Sequence, residues 1–448
     1  MTKKYDVIII GGGNAGFGVS AVASEAGKTI AFIEREDFGG TCPNRGCTPK
    51  KVLVAAAHTL HEIDLAHHHA IEVSKPVLDW KKLIQREKAM IDFIPDAMAG
   101  VAEKRGDVYR GSGRFVGRNQ VEVNDEVLEG EHIVIATGSR PRPLPIPGAD
   151  LMLTSDDLLS DETLPKDMVF VGGGVIAMEF SHIFARAGVK VTILEVMPRL
   201  LPQLDEGAVD ALLEESKRLG ITVYTGVQIS EITETKGRRQ VVFTVDGYEK
   251  MVDCDSVVNG AGRIANVEGL DLDAAGVEFD GVAISVDKSM RSTTNPAIWV
   301  CGDALVGTPQ LSPVATYEGR LVGENIVAGI SQEADYRVLP SAVYTVPALA
   351  SVGLTEAAAT EKGLNVSVTI NDMTGWFSGK SYAETVAYAK VIRDVNTDQI
   401  LGAHLVGHRA EELIHMFAFA MRYEVPASSL KNDFYAFPTF ASDVKNLF

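Results

Sequence analysis

Two stretches of the chain repeat the same order of apolar, glycine-rich and helical segments. In both copies, a short apolar strand leads into a glycine-rich turn, a helical stretch and a second apolar strand. The predicted strands lie at 5–10 and 29–33 in the first copy, and at 168–171 and 190–194 in the second. In each copy an interior glycine follows the first turn glycine by 16 residues, and a glutamate follows it by 23. The repeat predicts two βαβ units of the same kind.

The two turns carry the spacing of a dinucleotide-binding fingerprint. Its first glycine permits the turn, the second lets backbone approach a pyrophosphate, and the third position packs helix on strand. The N-terminus of the following helix then faces the phosphates. One such pattern also occurs in glycine-rich turns of other α/β proteins, but two copies in register indicate two bound nucleotides. The first copy has Gly11, Gly13, Gly16 and Glu34, and the second has Gly172, Gly174, Ala177 and Glu195.

The rest of the chain predicts further strands and a different last domain. An apolar strand over 133–136 leads into Thr137 and Gly138, and the Pro-rich stretch 141–147 indicates a domain crossing. Another strand, over 298–300, ends just before Asp303. From about 335 onward there is no fingerprint, and the pattern predicts a third domain that binds no nucleotide. Its predicted elements are strands over 391–393 and 400–406 and a helix over 411–422.

Composition and charge exclude several classes of partner. The chain has 448 residues, 46% of them hydrophobic, and this length corresponds to about three ordinary domains. Its 42 Lys and Arg against 60 Asp and Glu give a net charge of −18, which repels nucleic acids and anionic membranes. No apolar run reaches the ~20 residues that a membrane-spanning helix needs. With only four cysteines, we expect a soluble protein of the reducing cytoplasm.

One close pair of cysteines, Cys42 and Cys47, is a candidate redox centre. In an ideal α-helix five residues rise about 7.5 Å, more than the roughly 4.4–6.8 Å between the Cα atoms of a disulfide. The proline, asparagine and glycine between the two cysteines would have to distort the turn. A Thr-Pro pair then begins a helix, so Cys47 would lie where the helix dipole and Lys50 stabilise a thiolate.

Three interpretations of the pair remain from the residues alone: a redox-active disulfide beside a flavin, a zinc site, or two ordinary thiols. Zinc is disfavoured because no second Cys/His pair has the required spacing. Cys254 and Cys301 are isolated, and we expect inert core thiols there. The run of histidines 67–69 is typical of a solvated loop or helix end. No metal site is predicted, and His404, His408 and His415 are expected to be hydrogen-bonded structural histidines.

The segment from Gly39 to Lys50 resembles the signature of the class I pyridine nucleotide-disulfide oxidoreductases. Further blocks resemble the family in family order: Gly262-Arg263, Cys301-Gly302-Asp303, Leu311-Ser312-Pro313 and Val352-Gly353-Leu354-Thr355-Glu356. The similarity covers essentially the whole chain. It implies an α/β fold with two Rossmann-like, three-layer nucleotide-binding domains and an α+β C-terminal dimerisation domain. The implied divisions are an FAD domain over 1–147 completed by 266–334, an NAD(P) domain over 148–265 and a dimerisation domain over 335–448.

The resemblance also implies the cofactors and their residues. FAD would be held by Gly11, Gly13, Gly16, Glu34, Gly40, Thr41, Lys50, Thr137, Gly138, Asp303 and Ser312. The nicotinamide nucleotide would be held by Gly172, Gly174, Ala177, Glu195 and Gly262. Lys50 would lie near the flavin and pair with Glu179. Cys47 would be the thiol that faces the flavin, and Cys42 the thiol that meets the substrate. Electrons would pass from nicotinamide to flavin to the disulfide.

The second fingerprint favours NADH over NADPH. Glu195 can accept a hydrogen bond from the ribose 2′-OH, whereas a 2′-phosphate would meet a carboxylate. Arg199 is the residue that would argue for NADPH, because a nearby arginine can hold that phosphate.

The chain departs from the family at the C-terminal block His-Pro-Thr-x-x-Glu, whose histidine is the active-site base delivered from the partner subunit. Here the block begins at Phe437 and ends at Ser442, so both members of the acid–base pair are replaced. General acid–base catalysis contributes about 10²- to 10⁴-fold, so we expect the flavin half-reaction to survive and thiol exchange to slow. Tyr435 is an alternative proton source.

The sequence therefore predicts an FAD-dependent, NADH-preferring oxidoreductase that acts as a homodimer on a small thiol, disulfide or related electrophile. Two alternatives stay open. One is an enzyme similar to 2-ketopropyl-coenzyme M oxidoreductase/carboxylase, in which Phe437 excludes protons from a carbanion. The other is a flavin-bearing redox sensor with little turnover.

Overall fold

The protein, described by a computed structural model over residues 2–448, combines helices and strands, with βαβ units at the two repeats and runs of consecutive strands between them. Its α-helices are α1 Asn14–Glu25, α2 Thr41–Arg45, α3 Cys47–Leu65, α4 Trp80–Ile91, α5 Ile94–Arg105, α6 Ser155–Ser160, α7 Val175–Arg186, α8 Glu206–Arg218, α9 Leu272–Ala275, α10 Ser312–Ala328, α11 Glu356–Glu361, α12 Phe377–Ser381, α13 Ala410–Arg422, α14 Ala427–Asn432 and α15 Phe440–Asp443. Short 3₁₀ segments are Ala66–His69, Ala149–Leu151, Gly302–Ala304 and Val444–Asn446.

The strands fall into several sheets. They are β1 Lys3–Ile10, β2 Ile30–Glu34, β3 Asp107–Arg110, β4 Arg114–Gly117, β5 Gln120–Val123, β6 Glu126–Ile135, β7 Ser139–Pro141, β8 Asp167–Val171, β9 Lys190–Glu195, β10 Thr222–Thr225, β11 Gln228–Thr235, β12 Arg238–Val245, β13 Tyr248–Cys254, β14 Ser256–Asn259, β15 Arg263–Ala265, β16 Ile298–Val300, β17 Ser341–Val343, β18 Ala348–Gly353, β19 Val366–Asp372, β20 Tyr388–Asp394 and β21 Ile400–Gly407.

The chain divides into two compact units, each built from three segments. The first comprises the residues up to Lys50 together with 84–142 and 263–334, and the second comprises 51–83, 143–262 and 335–448. The four-part domain division drawn from the sequence stays a prediction. No helix of the described residues is both long and apolar enough to cross a bilayer.

The first unit is built on a seven-stranded sheet. Six of its strands follow the order β3-β2-β1-β6-β5-β4, and the seventh, β16, pairs with β6. Strands β1, β2, β3, β6 and β16 pair in parallel. Parallel strands are covered on both faces, so their sequences are continuous apolar runs rather than alternating ones. Val7 to Ile10 is such a run, and it is buried. The strands predicted at 133–136 and 298–300 are confirmed as parts of β6 and β16.

Helices α1 and α10 pack with their backbones in contact in this unit. A Cβ atom added to Gly319 would lie 2.1 Å from the carbonyl oxygen of Ala15, and one added to Gly18 would lie 2.7 Å from that of Thr316. Only glycine fits at these two positions. The contact fixes the start of α10 beside the start of α1.

The second unit contains the second copy of the repeat and the last domain. A parallel sheet has the order β10-β9-β8-β14, and an antiparallel sheet has the order β11-β12-β13. The C-terminal part is a five-stranded antiparallel sheet, β17-β18-β21-β20-β19, with α13 packed through buried Ile414 and Phe417. The helix predicted over 411–422 is confirmed as α13, and the predicted α/β fold class is confirmed.

Candidate active site

In the turn between β1 and α1, neighbouring backbone leaves no room for a side chain at Gly11 or Gly16. Gly11 has a φ of +114°, and a Cβ there would lie 2.2 Å from the carbonyl oxygen of Ala136. A Cβ on Gly16 would lie 2.1 Å from the carbonyl oxygen of Gly11. Gly13 is the N-cap of α1, and no side chain caps this end of the helix. The first N–H groups of α1 are therefore available to an anion, as the fingerprint requires.

The glutamate at the end of β2 is held by the same turn. The backbone N–H of Gly12 donates to Glu34 Oε2 at 2.7 Å, and the N–H of Glu36 donates to Glu34 Oε1 at 2.8 Å. One oxygen is thus bound to the fingerprint turn and the other to the chain after β2, and an ionised carboxylate has further lone pairs for a ribose hydroxyl.

The second copy repeats this geometry. The N–H groups of Gly173 and Met197 donate to Glu195, the latter at 2.7 Å. Gly172 has a φ of +102°, and a Cβ there would lie 2.5 Å from the carbonyl carbon of Gly260. The predicted repeat is therefore reproduced in hydrogen bonds as well as in sequence spacing.

One difference from a strict glycine pattern is accommodated in the second copy. Ala177 replaces the third glycine, and it faces Gly260, where an added Cβ would come within 3.0 Å of the Ala177 Cβ. Gly262 follows at a φ of +93° with open space around it. The missing glycine on α7 is thus offset by a glycine after β14.

The Arg199 side chain hydrogen-bonds to backbone carbonyl oxygens of its own loop. Its guanidinium Nη2 donates to the carbonyl oxygens of Pro202, at 3.1 Å, and of Leu204. These contacts fold the chain after β9 back on itself.

A second glycine loop closes over the first fingerprint. Gly40 has a φ of +70°, and a Cβ there would lie 2.8 Å from the Cα of Gly13. This contact brings Thr41, the first residue of α2, next to the turn that is expected to carry phosphates.

The predicted FAD residues Thr137 and Gly138 lie at the end of β6. The side-chain amide of Asn266 donates to the Thr137 carbonyl oxygen at 3.3 Å, and its backbone N–H donates to the Gly138 carbonyl oxygen at 2.9 Å. The Thr137 hydroxyl is buried and has no hydrogen-bond partner among residues 2–448. A buried hydroxyl without a partner fits a site that a bound group completes.

Asp303 lies in the 3₁₀ turn after β16. Ser139 donates to Asp303 Oδ2 at 3.0 Å, and Arg263 Nε in turn donates to Ser139 Oγ at 2.9 Å. Burial raises the pKa of Asp303 above its usual range, although Ser139 and Arg263 oppose the shift. The sequence placed Asp303 correctly at the end of its strand but gave no sign that Ser139 and Arg263 orient it, because they come from distant segments.

Cys42 and Cys47 meet where α2 gives way to α3. Gly46 separates the two helices with backbone that is neither helical nor extended (φ −145°, ψ −114°), and a Cβ there would lie 2.9 Å from the Thr41 carbonyl oxygen and 3.3 Å from the Cys42 Cα. The absent side chain allows the two cysteines to approach, and their side chains hydrogen bond as free thiols. The helix interruption predicted from the sequence is confirmed at Gly46.

The two thiols differ in acidity. The hydrogen bond from Cys47 lowers the pKa of Cys42 to about 6 against the effect of burial, with further help from Ser312 and Lys50. The same hydrogen bond, together with burial, raises the pKa of Cys47. Cys42 is therefore the more acidic thiol of the reduced pair. The thiolate that the sequence predicts at Cys47 stays a prediction. The helix N-terminus does act near Cys47, but the direct sulfur contact outweighs it.

Asn14 is a residue of this site that the sequence did not single out. Its side-chain amide donates to Ser312 Oγ, and the Ser312 hydroxyl hydrogen bonds to Cys42. The chain of contacts joins the first turn of α1 to the thiol through the first turn of α10. No motif marks Asn14, since the contact depends on the α1–α10 packing.

Lys50 acts on the thiol pair, and Glu179 accepts a hydrogen bond from backbone. Lys50 lies one turn after Cys47, and its charge lowers the pKa of both thiols. Glu179 is buried on α7, and its Oε1 accepts the backbone N–H of Tyr344 at 2.8 Å. The pairing of Lys50 with Glu179 stays a prediction.

The C-terminal segment carries no free acid–base group at the positions expected of the family. Phe437 is 76% exposed. Ser442 completes a capping box with Thr439 at the start of α15, and the Tyr435 hydroxyl donates to the Leu430 carbonyl oxygen at 2.8 Å. The Tyr435 hydroxyl proton is therefore already used in a hydrogen bond to the backbone.

The remaining cysteines and histidines behave differently from the thiol pair. Burial raises the pKa of Cys254 to about 12 and raises that of Cys301 as well, as expected of inert core thiols. Histidines 67–69 form an exposed 3₁₀ turn. No group of three potential ligands within residues 2–448 is arranged to hold a metal ion.

Comparison with known families identifies the class. The family described as "Pyridine nucleotide-disulphide oxidoreductase" matches residues 5–319, and its dimerisation domain matches residues 339–448. With two fingerprint turns and an adjacent thiol pair, the fold and site define an oxidoreductase of the two-nucleotide flavoprotein class. The chain belongs to the pyridine nucleotide-disulphide oxidoreductases, which depend on FAD and a pyridine nucleotide.

The similarity to individual members extends over nearly the whole chain. It is 32% identical to the dihydrolipoyl dehydrogenase of Bacillus subtilis, covering 92% of this chain and 91% of that protein. It is 30% identical to a mercuric reductase of Lysinibacillus sphaericus, covering 99% of this chain and 82% of that protein. Among solved structures, the HOCl-induced flavoprotein disulfide reductase RclA from Escherichia coli is 27% identical with a TM-score of 0.88, covering 99% of both chains.

Proposed function

We propose that this protein is an NADH-preferring, FAD-dependent reductase of a small disulfide, thiol or related electrophile, and that Cys42 and Cys47 are its redox-active pair. The observation that carries the proposal is the contact between the two sulfurs at the Gly46 break, beside the first fingerprint turn. Two unrelated thiols would not require this close approach, and no third potential ligand within residues 2–448 joins the pair in a group that could hold zinc. Within each subunit the dithiol and the disulfide would interconvert.

The first unit offers a set of residues that fits FAD. The glycines at 11, 16 and 40 leave no room for a side chain, Gly13 begins α1, and Thr137 has a buried hydroxyl without a hydrogen-bond partner among residues 2–448. These residues would hold FAD together with Glu34, Thr41, Lys50, Gly138, Asp303 and Ser312. When bound, FAD supplies the two-electron step between nicotinamide and the disulfide.

The acidity difference between the thiols supports separate roles. Cys42 carries the thiolate, which is the nucleophilic form of cysteine, so it would attack the substrate and form a mixed disulfide. Cys47 keeps its proton until that attack is complete and would then displace the second product by bonding to Cys42. Asn14 and Ser312 would hold Cys42 in place during both steps.

The preference for NADH rests on the second fingerprint. Glu195 is buried and fixed by two backbone N–H groups, so its charge stays where a 2′-phosphate would lie. Arg199, the residue that could offset this charge, donates to the carbonyl oxygens of its own loop. Gly172, Gly174, Ala177 and Gly262 would surround the rest of the nucleotide.

The proposed assembly is a homodimer in which the segment with Phe437 faces the thiol pair of the partner subunit. The match to the dimerisation domain supports it. RclA is described as an HOCl-induced disulfide reductase, and the similarity supports a role in reducing disulfides that oxidants produce.

The carboxylase alternative is favoured by one observation, the exposed ring of Phe437 at the position of the family base. In that case reduced protein would consume carbon dioxide with a substrate carbanion and would not release two thiols from a disulfide. A redox sensor would accept electrons from NADH and pass them to no small acceptor faster than to oxygen.

An anaerobic titration of the holoenzyme with NADH, and separately with NADPH, tests the proposal. We expect NADH to act first and to produce two new free thiols per chain. A Cys47→Ser variant is the matched control, since it keeps the flavin site but cannot form the pair. Full bleaching of the flavin without new thiols would contradict the dithiol mechanism.

A further inference from the structure

A buried lysine of the five-stranded sheet forms an ion pair with the segment that follows the second fingerprint. Lys390 lies on β20, and its Nζ is 3.0 Å from Oδ2 of Asp205 and 2.9 Å from Oε2 of Glu356. The side chains of Lys390 and Asp205 are 7% and 3% exposed. Separating the two partners would leave an unpaired charge in the interior, so the pair holds its two segments together.

The start of α8 packs closely on β20. A Cβ atom added to Gly207 would lie 2.4 Å from the hydroxyl oxygen of Tyr388. Asp205 is the N-cap of α8, and its Oδ1 accepts the backbone N–H of Ala208 at 3.3 Å. The two oxygens of this carboxylate therefore have different partners, one on α8 and one on β20. Together they fix the point at which the loop after β9 ends.

The loop between β9 and α8, residues 196–204, is closed by its own hydrogen bonds. The Arg199 guanidinium donates to the carbonyl oxygen of Leu204, the residue before Asp205. The Leu204 N–H donates in turn to the Leu201 carbonyl oxygen at 2.9 Å. Because Leu204 is bonded to Asp205, fixing Asp205 also fixes the carbonyl oxygen that occupies Arg199.

The β9–α8 loop also contacts the second fingerprint turn. The Leu201 N–H donates to the Gly173 carbonyl oxygen at 3.1 Å, and the Gly173 N–H donates to Glu195 Oε2. Leu200 is buried, and a Cβ added to Gly173 would lie 2.2 Å from Leu200 Cδ2. Leu201 has a φ of +45°, a strained conformation that persists only where its surroundings hold it. A continuous series of contacts thus connects Lys390 with the Glu195 carboxylate.

We propose that Lys390 is a positioning residue that sets the nucleotide preference of this protein through the β9–α8 loop. With the ion pair in place, Glu195 is held against the fingerprint turn and Arg199 is occupied by backbone carbonyl oxygens. Without the pair, the loop would separate from Gly173 and release both side chains. The repulsion of a 2′-phosphate would then weaken. This inference rests on the proposed preference for NADH.

A second buried ion pair of the same unit provides a matched control. Glu215 lies on α8, and it accepts hydrogen bonds from Arg186 Nη2 at 2.7 Å and from the Thr385 hydroxyl at 2.8 Å. The Arg186 and Glu215 side chains are both buried. These contacts lie outside the β9–α8 loop, so their loss should lower stability without changing the nucleotide preference.

The test is calorimetric titration of the oxidised holoenzyme with ADP-ribose and with 2′-phospho-ADP-ribose. The two ligands differ in the 2′-phosphate, and neither has a nicotinamide, so binding is measured without electron transfer. We expect the wild type to bind ADP-ribose more tightly. In Lys390→Met the ratio of the two affinities should fall by roughly fivefold, the size expected when a residue acts on a site through intervening contacts. Glu215→Gln should keep the wild-type ratio.

A double variant separates positioning from stability. Lys390→Met leaves the Asp205 carboxylate buried without its cation and should lose stability. Asp205→Asn combined with Lys390→Met removes both charges and keeps a capping side chain on α8. We expect urea denaturation to show that this double variant is the more stable of the two, whereas its affinity ratio should be reduced as in Lys390→Met.

Hydrogen exchange gives a readout that needs no nucleotide. Exchange of the amides in residues 196–204, measured relative to those of β9, should accelerate in both variants that lack Lys390. It should not accelerate in Glu215→Gln. Unchanged exchange in the Lys390 variants would contradict the role of the ion pair in holding the loop.

The outcomes separate the two proposals. If the wild type binds 2′-phospho-ADP-ribose at least as tightly as ADP-ribose, the proposed NADH preference fails and this inference fails with it. If the wild type discriminates but the Lys390 variants keep its ratio, or lose affinity for both ligands equally, only the role of Lys390 is overturned. An equal fall of the ratio in Glu215→Gln also overturns it, because general loosening of the unit would then explain the effect.

Discussion

At the scale of single residues, the chemistry of the site is decided by contacts of one or two atoms. Cys42 is the acidic thiol because Cys47 and Ser312 both hydrogen bond to it, and Cys47 is the less acidic because it shares the same contact. Hydrogen bonds to a charged group contribute roughly 1.5–3 kcal/mol, enough to exceed the effect of a helix end. In a reduced enzyme near neutral pH, Cys42 would therefore be the nucleophilic thiol of the pair.

Removing the Ser312 hydroxyl should weaken the thiolate. In Ser312→Ala we expect the pKa of Cys42 to rise by about one unit, because one charge-assisted hydrogen bond is lost. The measurement is the rate of iodoacetamide alkylation of the reduced protein against pH, which in the wild type should increase as pH rises through about 6. Thr316→Ala, one turn further along α10, is the control, and an equal shift there would contradict the assignment.

The nucleotide preference should depend on one carboxylate. For Glu195→Gln we expect the ratio of kcat/KM for NADPH to that for NADH to rise by about tenfold, since the charge that repels a 2′-phosphate is gone. Steady-state kinetics with both nucleotides measures it. Glu34→Gln is the matched variant of the first fingerprint, and it should alter FAD retention while leaving that ratio unchanged. An unchanged ratio in Glu195→Gln would contradict the assignment.

The sequence was sufficient for residues whose role depends on local spacing and insufficient for those that depend on packing. The fingerprint glycines and Glu34 were predictable because each lies within one βαβ unit. Asn14 was not, because its partner Ser312 is about 300 positions away and no pattern in the sequence reports that contact. Which of the two sulfurs donates to the other depends likewise on side-chain rotamers and not on spacing, so the sequence alone does not decide it.

At the scale of elements, glycine positions control how closely neighbouring segments approach. Gly46 separates α2 from α3 and lets the thiols meet, and Gly319 brings α10 against α1. The helix interruption was predictable, because an ideal helix keeps Cys42 and Cys47 too far apart for a bond. The close packing of α1 on α10 was not, because glycines in a helical pattern have no unique interpretation.

A side chain at position 46 should separate the thiols. In Gly46→Ala the new methyl group would lie 2.9 Å from the Thr41 carbonyl oxygen, so the α2–α3 junction must shift. We expect slower disulfide formation on oxidation and a loss of about 1–3 kcal/mol in unfolding free energy. Thiol titration over time and urea denaturation measure the two effects.

Gly100→Ala is the control for this variant. Gly100 lies within α5 with nothing within 4 Å of an added Cβ, so alanine there should raise stability by up to about 1 kcal/mol. If Gly46→Ala behaved like Gly100→Ala, the close approach at Gly46 would not limit the thiol pair.

At the scale of the whole molecule, the second unit buries titratable groups that tie its stability to pH. His182 on α7 is fully buried, with Nε2 2.9 Å from Ser216 Oγ, and burial lowers its pKa to about 4. His61 on α3 is buried without a hydrogen-bond partner among the described residues, and burial lowers its pKa to about 4 as well. Neither histidine belongs to a motif, so the sequence gave no indication of this property.

Acid should destabilise the second unit before the carboxylates titrate. The unfolded chain binds a proton at His182 near pH 6.5, whereas the folded chain does so only near pH 4, so stability is lost as pH falls between the two. At pH 5 the loss is about 2 kcal/mol for this residue. Urea denaturation at pH 7 and pH 5 should show a smaller difference in His182→Gln than in wild type or His69→Gln. Equal differences would contradict this account.

The first unit is assembled from three segments that the chain supplies far apart. Its central strand β1 lies beside β6, β16 completes the sheet only at residues 298–300, and α10 brings Ser312 to the thiol pair later still. During synthesis on the ribosome, the N-terminal strand must therefore wait until about two-thirds of the chain has emerged. Until α10 has been made, Cys42 lacks the hydrogen bond from Ser312 that lowers its pKa, so the nascent chain holds a less reactive thiol than the finished protein.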